Sequence, residues 1–310
     1  MSEKQNESKD PFRPLIFGEA LFDHFPDGSR VLGGAPFNVA WHLKGFGANP
    51  LTVTSVGQDR EGEEILERMD RWGMDTSGVQ EHPSRPTGRV TAHLEDGNPS
   101  YDIEARQAYD AIMTEGLPRR PVLEGCDLLY HGTLALREPT SYNSLVYLRG
   151  NWPLPTLVDV NLRAPWWTRG KVLERLKGVS WVKLNQEELE LLGRFSTQDP
   201  AALEEPGSRF REEHEINTLV VTLGQEGSLA LTSHGSIRQG ARKVGDGVDS
   251  VGAGDAFAAV LLLGIHLGWS VEVILRRASE FAGDICKIRG ATSHDPELYA
   301  RHLRSWGHAT

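Results

Sequence analysis

Strand-length apolar runs alternate with segments of helical period along nearly the whole chain, and no other feature narrows the open folds as far. Leu15 to Phe17, Leu51 to Val56, Asp127 to His131, Thr156 to Val160, Trp181 to Leu184 and Leu219 to Leu223 read as core strands. Helices lie between them. Pro36 sits where a first helical turn tolerates proline, Val39, Ala40 and Leu43 share a face, and Gly47 supplies the stop. Ile65, Leu66, Met69 and Trp72 repeat the arrangement, closed by Gly73. Such alternation is the pattern of a mostly parallel sheet covered by helices, an α/β protein. At roughly 100–200 residues per domain, 310 residues make one large domain, or a core with one appendage.

Two stretches break the rhythm. Leu21 to Leu32 and Arg85 to Ala108 mix polar and apolar residues around turn signals such as Asp96-Gly97-Asn98-Pro99. They predict antiparallel strands of a small sheet, a lid from about 21–33 and 85–110 on a domain spanning 13–310, with residues 1–12 a flexible tail. An ordinary edge extension is the plainer reading of the same strands. With 33 Lys and Arg against 43 Asp and Glu, the net charge of −10 leaves no broad positive field for nucleic acid. The longest apolar run, from Ala256 to Leu263, is too short for a membrane span, and the polar start of the chain carries no secretion signal. Cys126 and Cys286, far apart and without CxxC spacing, read as buried free thiols. A cytoplasmic protein without nucleic-acid or membrane partners is expected.

The signatures of P-loop ATPases, dinucleotide-binding dehydrogenases, serine hydrolases and zinc proteases are missing. The densest signal is Asp249-Ser-Val-Gly252-Ala253-Gly254-Asp255, running straight into an apolar helical segment. Glycines there place unpaired backbone N–H groups at a helix N-terminus, a ready anion site. Asp255, in the first turn, reads either as a complement to the helix dipole or as a general base facing a hydroxyl. Spacing alone leaves these even.

Residues 249–255 resemble the D-[TS]-x-G-A-G-D signature of the ribokinase family, the PfkB-type carbohydrate kinases. Gly33-Gly34-Ala-Pro-Phe-Asn38-Val-Ala40 is similar to the family's G-G-x-x-x-N-x-A, and further matches lie between the two in family order. The resemblance runs from about Leu15 to Ala291. It implies a ribokinase-like three-layer αβα fold with a central mostly parallel sheet and a small β-sheet lid. It also implies Asp255 as catalytic base beside an anion hole of Gly252, Ala253 and Gly254. Asn185 and Glu188 match the N-x-x-E motif that arranges magnesium and phosphate, with Glu188 acting on the metal indirectly, although the pair is equally a helix-capping pattern. Thr222, Gly224 and Gly227 match the T-x-G-x-x-G element beside the nucleotide, and a hairpin turn would use the same glycines. Gly290-Ala291-Thr-Ser293 resembles the loop that holds a monovalent cation, K+, together with the region around Asp249.

On the substrate side, Gly18-Glu19-Ala-Leu21-Phe-Asp23 resembles the opening of fructokinases, in which the aspartate binds sugar hydroxyls; read alone, Asp23 is a turn residue. Gly33, Gly34 and Asn38 would complete the cradle. Asp159-Val-Asn161-Leu-Arg163 resembles another fructokinase stretch, with Arg163 reaching sugar or phosphate. Trp166 and Trp167 read as packing residues. Residues 101–110 depart from the usual fructokinase pattern. The resemblance implies an ATP- and Mg2+-dependent kinase for a primary hydroxyl of a small-molecule sugar, D-fructose first, and a homodimer through the lid. The alternatives are a kinase of the same fold for ribose, 2-keto-3-deoxygluconate or a nucleoside, and an inactive sugar-binding regulator.

Overall fold

The computed structural model describes residues 12–308, except 96–97, 198 and 242–250. The predicted tail, Asp249 and the Asp96-Gly97 turn therefore lie outside the described residues.

In the amino-terminal half, the chain runs through β1 (Leu15–Phe17), β2 (Leu21–His24), β3 (Arg30–Gly33), α1 (Ala35–Gly45), β4 (Leu51–Gly57), α2 (Arg60–Arg71), β5 (Val79–His82), β6 (Gly88–Glu95) and β7 (Asn98–Ile103). The middle holds α3 (Arg120–Leu123), β8 (Leu129–His131), α4 (Pro139–Asn151), β9 (Thr156–Asp159), α5 (Arg169–Leu176), β10 (Trp181–Asn185) and α6 (Gln186–Gly193). Last come α7 (Glu204–Glu213), β11 (Thr218–Thr222), β12 (Ser228–Thr232), β13 (Gly235–Gln239), α8 (Ala253–His266), α9 (Val271–Ile285) and α10 (Pro296–Ser305).

Nine strands form the main sheet in the order β13-β12-β11-β10-β9-β8-β1-β4-β5. The seven strands from β11 to β5 in that order are parallel, and β12 is antiparallel to both of its neighbours. Each of the six predicted core strands is present. Successive residues of a strand face opposite sides, so Leu157, Val220 and Ala230 enter the core beneath α1, α8 and α9, whereas Val158, Leu219, Val221, Leu229 and Leu231 enter the core beneath α5, α6 and α7. That alternation, with helices on both faces, is the three-layer α/β architecture. Helix α8 is buried along nearly all its length, from Ala256 to Gly264, because α1 and α9 flank it; its uniform apolarity follows.

The four strands β3-β2-β6-β7 form a separate sheet, drawn from the two segments that break the βα rhythm. One expectation needs correcting there. β2 pairs antiparallel with β3, and β6 with β7, but the junction between the two excursions, β2 with β6, is parallel. The first excursion returns to the sheet through α1, so the second approaches it from the same direction. A smaller correction concerns the thiols: Cys126 is buried, whereas Cys286 is only half-buried at the end of α9. Trp166 and Trp167 pack against different apolar clusters, as expected of packing residues.

Topology decides where a ligand can sit. From β1 the chain moves outward to β4 and β5, then returns to β8 on the other side of β1. The crossovers therefore part between β1 and β8, and a crevice opens outside the carboxyl ends of those strands.

Candidate active site

The side chains that emerge at this crevice follow strand ends. Glu19 follows β1, Asp159 and Asn161 end β9 and its extension, Asn185 ends β10, Thr222 ends β11, and α1 and α8 begin above them. Residues as far apart in sequence as Asn38 and Asp255, 217 positions, thus meet at one edge.

Helix α8 opens at Gly252, whose φ of 80° lies in the left-handed region. A Cβ there would come within 2.4 Å of the Ala291 Cα, so only glycine lets the turn rest against the 290–293 loop. Among the described residues, no side chain caps the helix. Among the described residues, none accepts a hydrogen bond from the amides of Ala253 or Gly254. Those amides and the helix dipole present positive potential to the crevice.

Asp255 lies one residue further on, and Asn38 Nδ2 donates to its Oδ2 at 2.7 Å. The two motifs singled out in the sequence are therefore joined by one hydrogen bond spanning 217 positions. Burial pushes the Asp255 carboxyl up from 3.8 to about 6; the Asn38 hydrogen bond opposes this, Asp159 reinforces it, and Lys183 and Arg163 oppose it. An acid that only complemented a helix dipole would be held low, and burial displaces this one upward instead.

Asp23 stands on β2, and burial pushes it to about 6 against the pull of Arg163. Gly33 faces it across the pair of strands; a Cβ at that position would lie 3.2 Å from Asp23 Oδ2. Gly34, with φ of 100°, has Glu19 O at 2.6 Å from where a Cβ would be. The glycine pair thus keeps the floor beside both acids free of side chains. Arg163 is exposed, and its charge acts on Glu19, Asp23 and Asp255 together. Asn161, at φ 40°, turns the chain so that Arg163 reaches this position; asparagine tolerates that conformation better than most residues.

Asn185 and Glu188 form a complete capping box at α6: Glu188 N donates to Asn185 Oδ1 at 2.8 Å, and Asn185 N to Glu188 Oε2 at 2.8 Å. Glu188 Oε1 accepts from Leu162 N at 2.7 Å. Both carboxylate oxygens thus face backbone amides, and Glu188 ties the Asn161–Arg163 turn to β10. Register pairs Asn185 with Thr222, which brings the N-x-x-E and T-x-G-x-x-G segments side by side. Gly227 closes the β11–β12 hairpin at a φ of 101°, and a Cβ there would fall 1.9 Å from Gln239 O at the end of β13. Gly224, at φ 56°, has open space before it.

Lys183 escaped the sequence reading. Its Nζ lies 2.9 and 2.8 Å from the two oxygens of Asp159, and Tyr130 Oη donates to Asp159 at 3.3 Å. Burial opposes its charge, but Asp159 overrides this and holds the lysine above its ordinary value, with Asp255 and Glu188 adding to the effect. A Cβ on Gly254 would lie 3.5 Å from Nζ, so the ammonium borders the α8 turn. The signal was present: a lysine inside the apolar strand Trp-Val-Lys-Leu-Asn is seldom buried without a partner.

Surface cavities of about 400 and 440 Å3 lie elsewhere, beside α9 and α10 and at the β11–β12 edge, and are lined by none of these residues. No group of three His, Cys, Asp or Glu side chains among the described residues is arranged to hold a metal. Magnesium suits such a place nonetheless, because it keeps several waters and binds chiefly through substrate phosphates. The carboxylate of Asp255 at the α8 turn, and that of Asp159 which acts on it, are oxygen ligands of the kind that mode uses.

Comparison with known proteins agrees with the geometry. The profile described as pfkB family carbohydrate kinase matches residues 18–298. A sugar kinase of Pyrococcus horikoshii is 28% identical over 254 residues, covering 79% of this chain and 74% of that protein. Fructokinase-2 of Oryza sativa subsp. japonica is 25% identical over 309 residues, covering 90% and 89%. The crystal structure of fructokinase from Vibrio cholerae O395, with fructose, ADP and calcium bound, superposes with a TM-score of 0.78 at 22% identity, covering 93% of this chain and 98% of that one.

Proposed function

Because the chain belongs to the pfkB family of carbohydrate kinases, we propose that it transfers the γ-phosphoryl group of ATP to a primary hydroxyl of D-fructose, giving fructose 6-phosphate and ADP. One observation carries this reading: a carboxylate with a raised pKa, held by Asn38, stands beside the N-terminus of α8, which no side chain caps among the described residues. At pH 7 an acid near 6 is mostly ionised yet basic enough to take a hydroxyl proton as the oxygen attacks. The amides of Gly252, Ala253 and Gly254, with the Lys183 ammonium behind them, stabilise negative charge spread over the phosphoryl oxygens. Magnesium, when bound with the nucleotide, neutralises phosphate charge. Glu188 would meet it through water, both its oxygens being engaged by amides.

Asp23, Gly33, Gly34, Asn38 and Arg163 hold the sugar in this reading, and Asn185, Thr222, Gly224 and Gly227 border the nucleotide. A carboxylate accepts from two vicinal hydroxyls at once, which suits a ketohexose. The relatives named fructokinase, and the fructose seen in the Vibrio cholerae enzyme, favour fructose among sugars. The small sheet, covering the crevice, would exclude water during transfer and limit ATP hydrolysis. Val31 and Tyr101 stand exposed on it and make it the surface for a homodimer; sedimentation showing monomer alone rejects that pairing. A panel of fructose, ribose, 2-keto-3-deoxygluconate and nucleosides, assayed with ATP and magnesium by coupled ADP release, tests the substrate. A higher kcat/KM for any other member replaces fructose, and sugar binding without ADP release rejects the kinase reading.

A further inference from the structure

Glu19 is not part of the machinery described so far, although it sits at its centre. It follows β1 directly, at the point where the crossovers part, and is only 4% exposed. Its Oε2 has no hydrogen-bond partner among the described residues. A buried carboxylate oxygen without a donor costs on the order of 1–3 kcal/mol or more, so a fold retains one where another molecule supplies the donor. The backbone around it is rigid, with Gly34 packed on its carbonyl, and the amides of Glu19 itself and Ala135 act on the carboxyl group.

The surroundings indicate what the missing donor is. The charges that act on Glu19 are those of Asp255 and Arg163, which the kinase reading places at the acceptor hydroxyl; of the two phenols its own charge acts on, Tyr130 Oη donates to Asp159, and Tyr109 Oη is buried without a partner among the described residues, a further polar group for a hydroxylated ligand. Asn38 Oδ1 is a second buried acceptor without a donor, and its amide nitrogen is the one bonded to Asp255. Two unpaired acceptors beside the base match a ligand that presents several hydroxyl donors. A phosphate or carboxylate ligand would be repelled from them.

We propose that Glu19 is a substrate-positioning residue, whose Oε2 accepts a hydrogen bond from a hydroxyl of the bound polyol other than the one that transfers its proton to Asp255. This rests on the kinase reading above. Burial pushes Glu19 from 4.5 to about 7, with Asp255 adding to the shift and the two amides and Arg163 opposing it. The contact is therefore strongest above neutrality, where the group is ionised and a charged acceptor forms the stronger bond.

The test compares wild type, Glu19→Gln and Glu19→Asp in steady-state kinetics over pH 5.5–9, with fructose and its monodeoxy analogues. Glu19→Gln lowers kcat/KM for the sugar by about tenfold or more and leaves KM for ATP within about twofold. The acid limb of kcat/KM near pH 7 disappears in it, and Glu19→Asp restores that limb with a raised sugar KM. One deoxy analogue, poor for wild type, is no poorer for Glu19→Gln, which identifies the hydroxyl contacted. An active wild type whose Glu19→Gln variant keeps its sugar kcat/KM and acid limb overturns this inference alone. Equal losses toward ATP and sugar also overturn it, as a purely structural role. A wild type that phosphorylates no sugar overturns the function itself.

Discussion

Replacing Asp255 with Asn separates the catalytic cost of that acid from its structural cost, because the two run in opposite directions. As the base, Asp255 cannot be replaced by an amide, and turnover should fall at least about 10²-fold. Stability should rise. The folded-state value lies above the unfolded one, so the native protein holds this proton more tightly, and ionisation near neutral pH works against folding. At about 1.4 kcal/mol per pH unit, moving a carboxyl from 3.8 to about 6 costs roughly 3 kcal/mol at pH 8. The amide keeps an oxygen for Asn38 Nδ2 but loses the charge assistance of that bond, which leaves a gain of about 1–2 kcal/mol. For a chain of this size that is a few degrees in Tm. Thermal unfolding of both proteins at pH 5 and pH 8, with coupled-assay kinetics at pH 8, gives the answer. The Tm advantage should be clear at pH 8 and shrink at pH 5, where wild-type Asp255 is protonated. An active D255N enzyme refutes the role of base. A variant less stable at pH 8, by a margin that pH does not change, refutes the electrostatic argument.

Other consequences follow from the same geometry. Lys183→Met strands Asp159 in the core and should cost about 3–5 kcal/mol, read as a lowered denaturant midpoint; a loss below about 1 kcal/mol means the pair is effectively solvated. Gly34→Ala forces a side chain to a φ of 100° and onto Glu19 O, so it should lower Tm and raise sugar KM, while ATP KM stays unchanged. The triple variant E19Q/D23N/D255N should gain Tm over wild type as pH rises from about 4, where the unfolded acids ionise, to about 7, where the last folded one does, since all three native acids are held above their unfolded values. His42 and His131, buried and held low, act in the opposite sense in both proteins and cancel in the difference. A pH-independent gap would show that the three carboxyls are not strained.

The strand positions were legible because their cause is local. An apolar run bounded by turns becomes a buried strand wherever it lies, and β1, β4, β8, β9, β10 and β11 appear within a few residues of their predicted places. The Gly252–Asp255 turn was equally open to reading, as was the Asn185/Glu188 box, because capping and left-handed glycine need only neighbours in sequence. Asp23 and Gly227 show the limit. Read alone, they are a turn aspartate and a hairpin glycine; the glycine does sit in the β11–β12 turn, whereas the aspartate lies on β2 within reach of the charge of Arg163, 140 positions away.

Lys183 was legible only as an anomaly, a charged residue in an apolar strand, and Glu19 only as a member of the Gly18–Asp23 motif with no role of its own. What pairs the first with Asp159 and leaves the second without a donor is the register of β9 against β10 and the position of β1 between β4 and β8. Those placements arise from the packing of whole layers, since sheet order is set by which helices cover which face and no short segment contains that information. The amino-acid order therefore determined the elements, their caps and the anion-binding turn by itself. Tertiary structure alone decided which acids share one guanidinium, because the strength of a charge interaction depends on distance through space and on exclusion of water, and neither is a property of the linear chain.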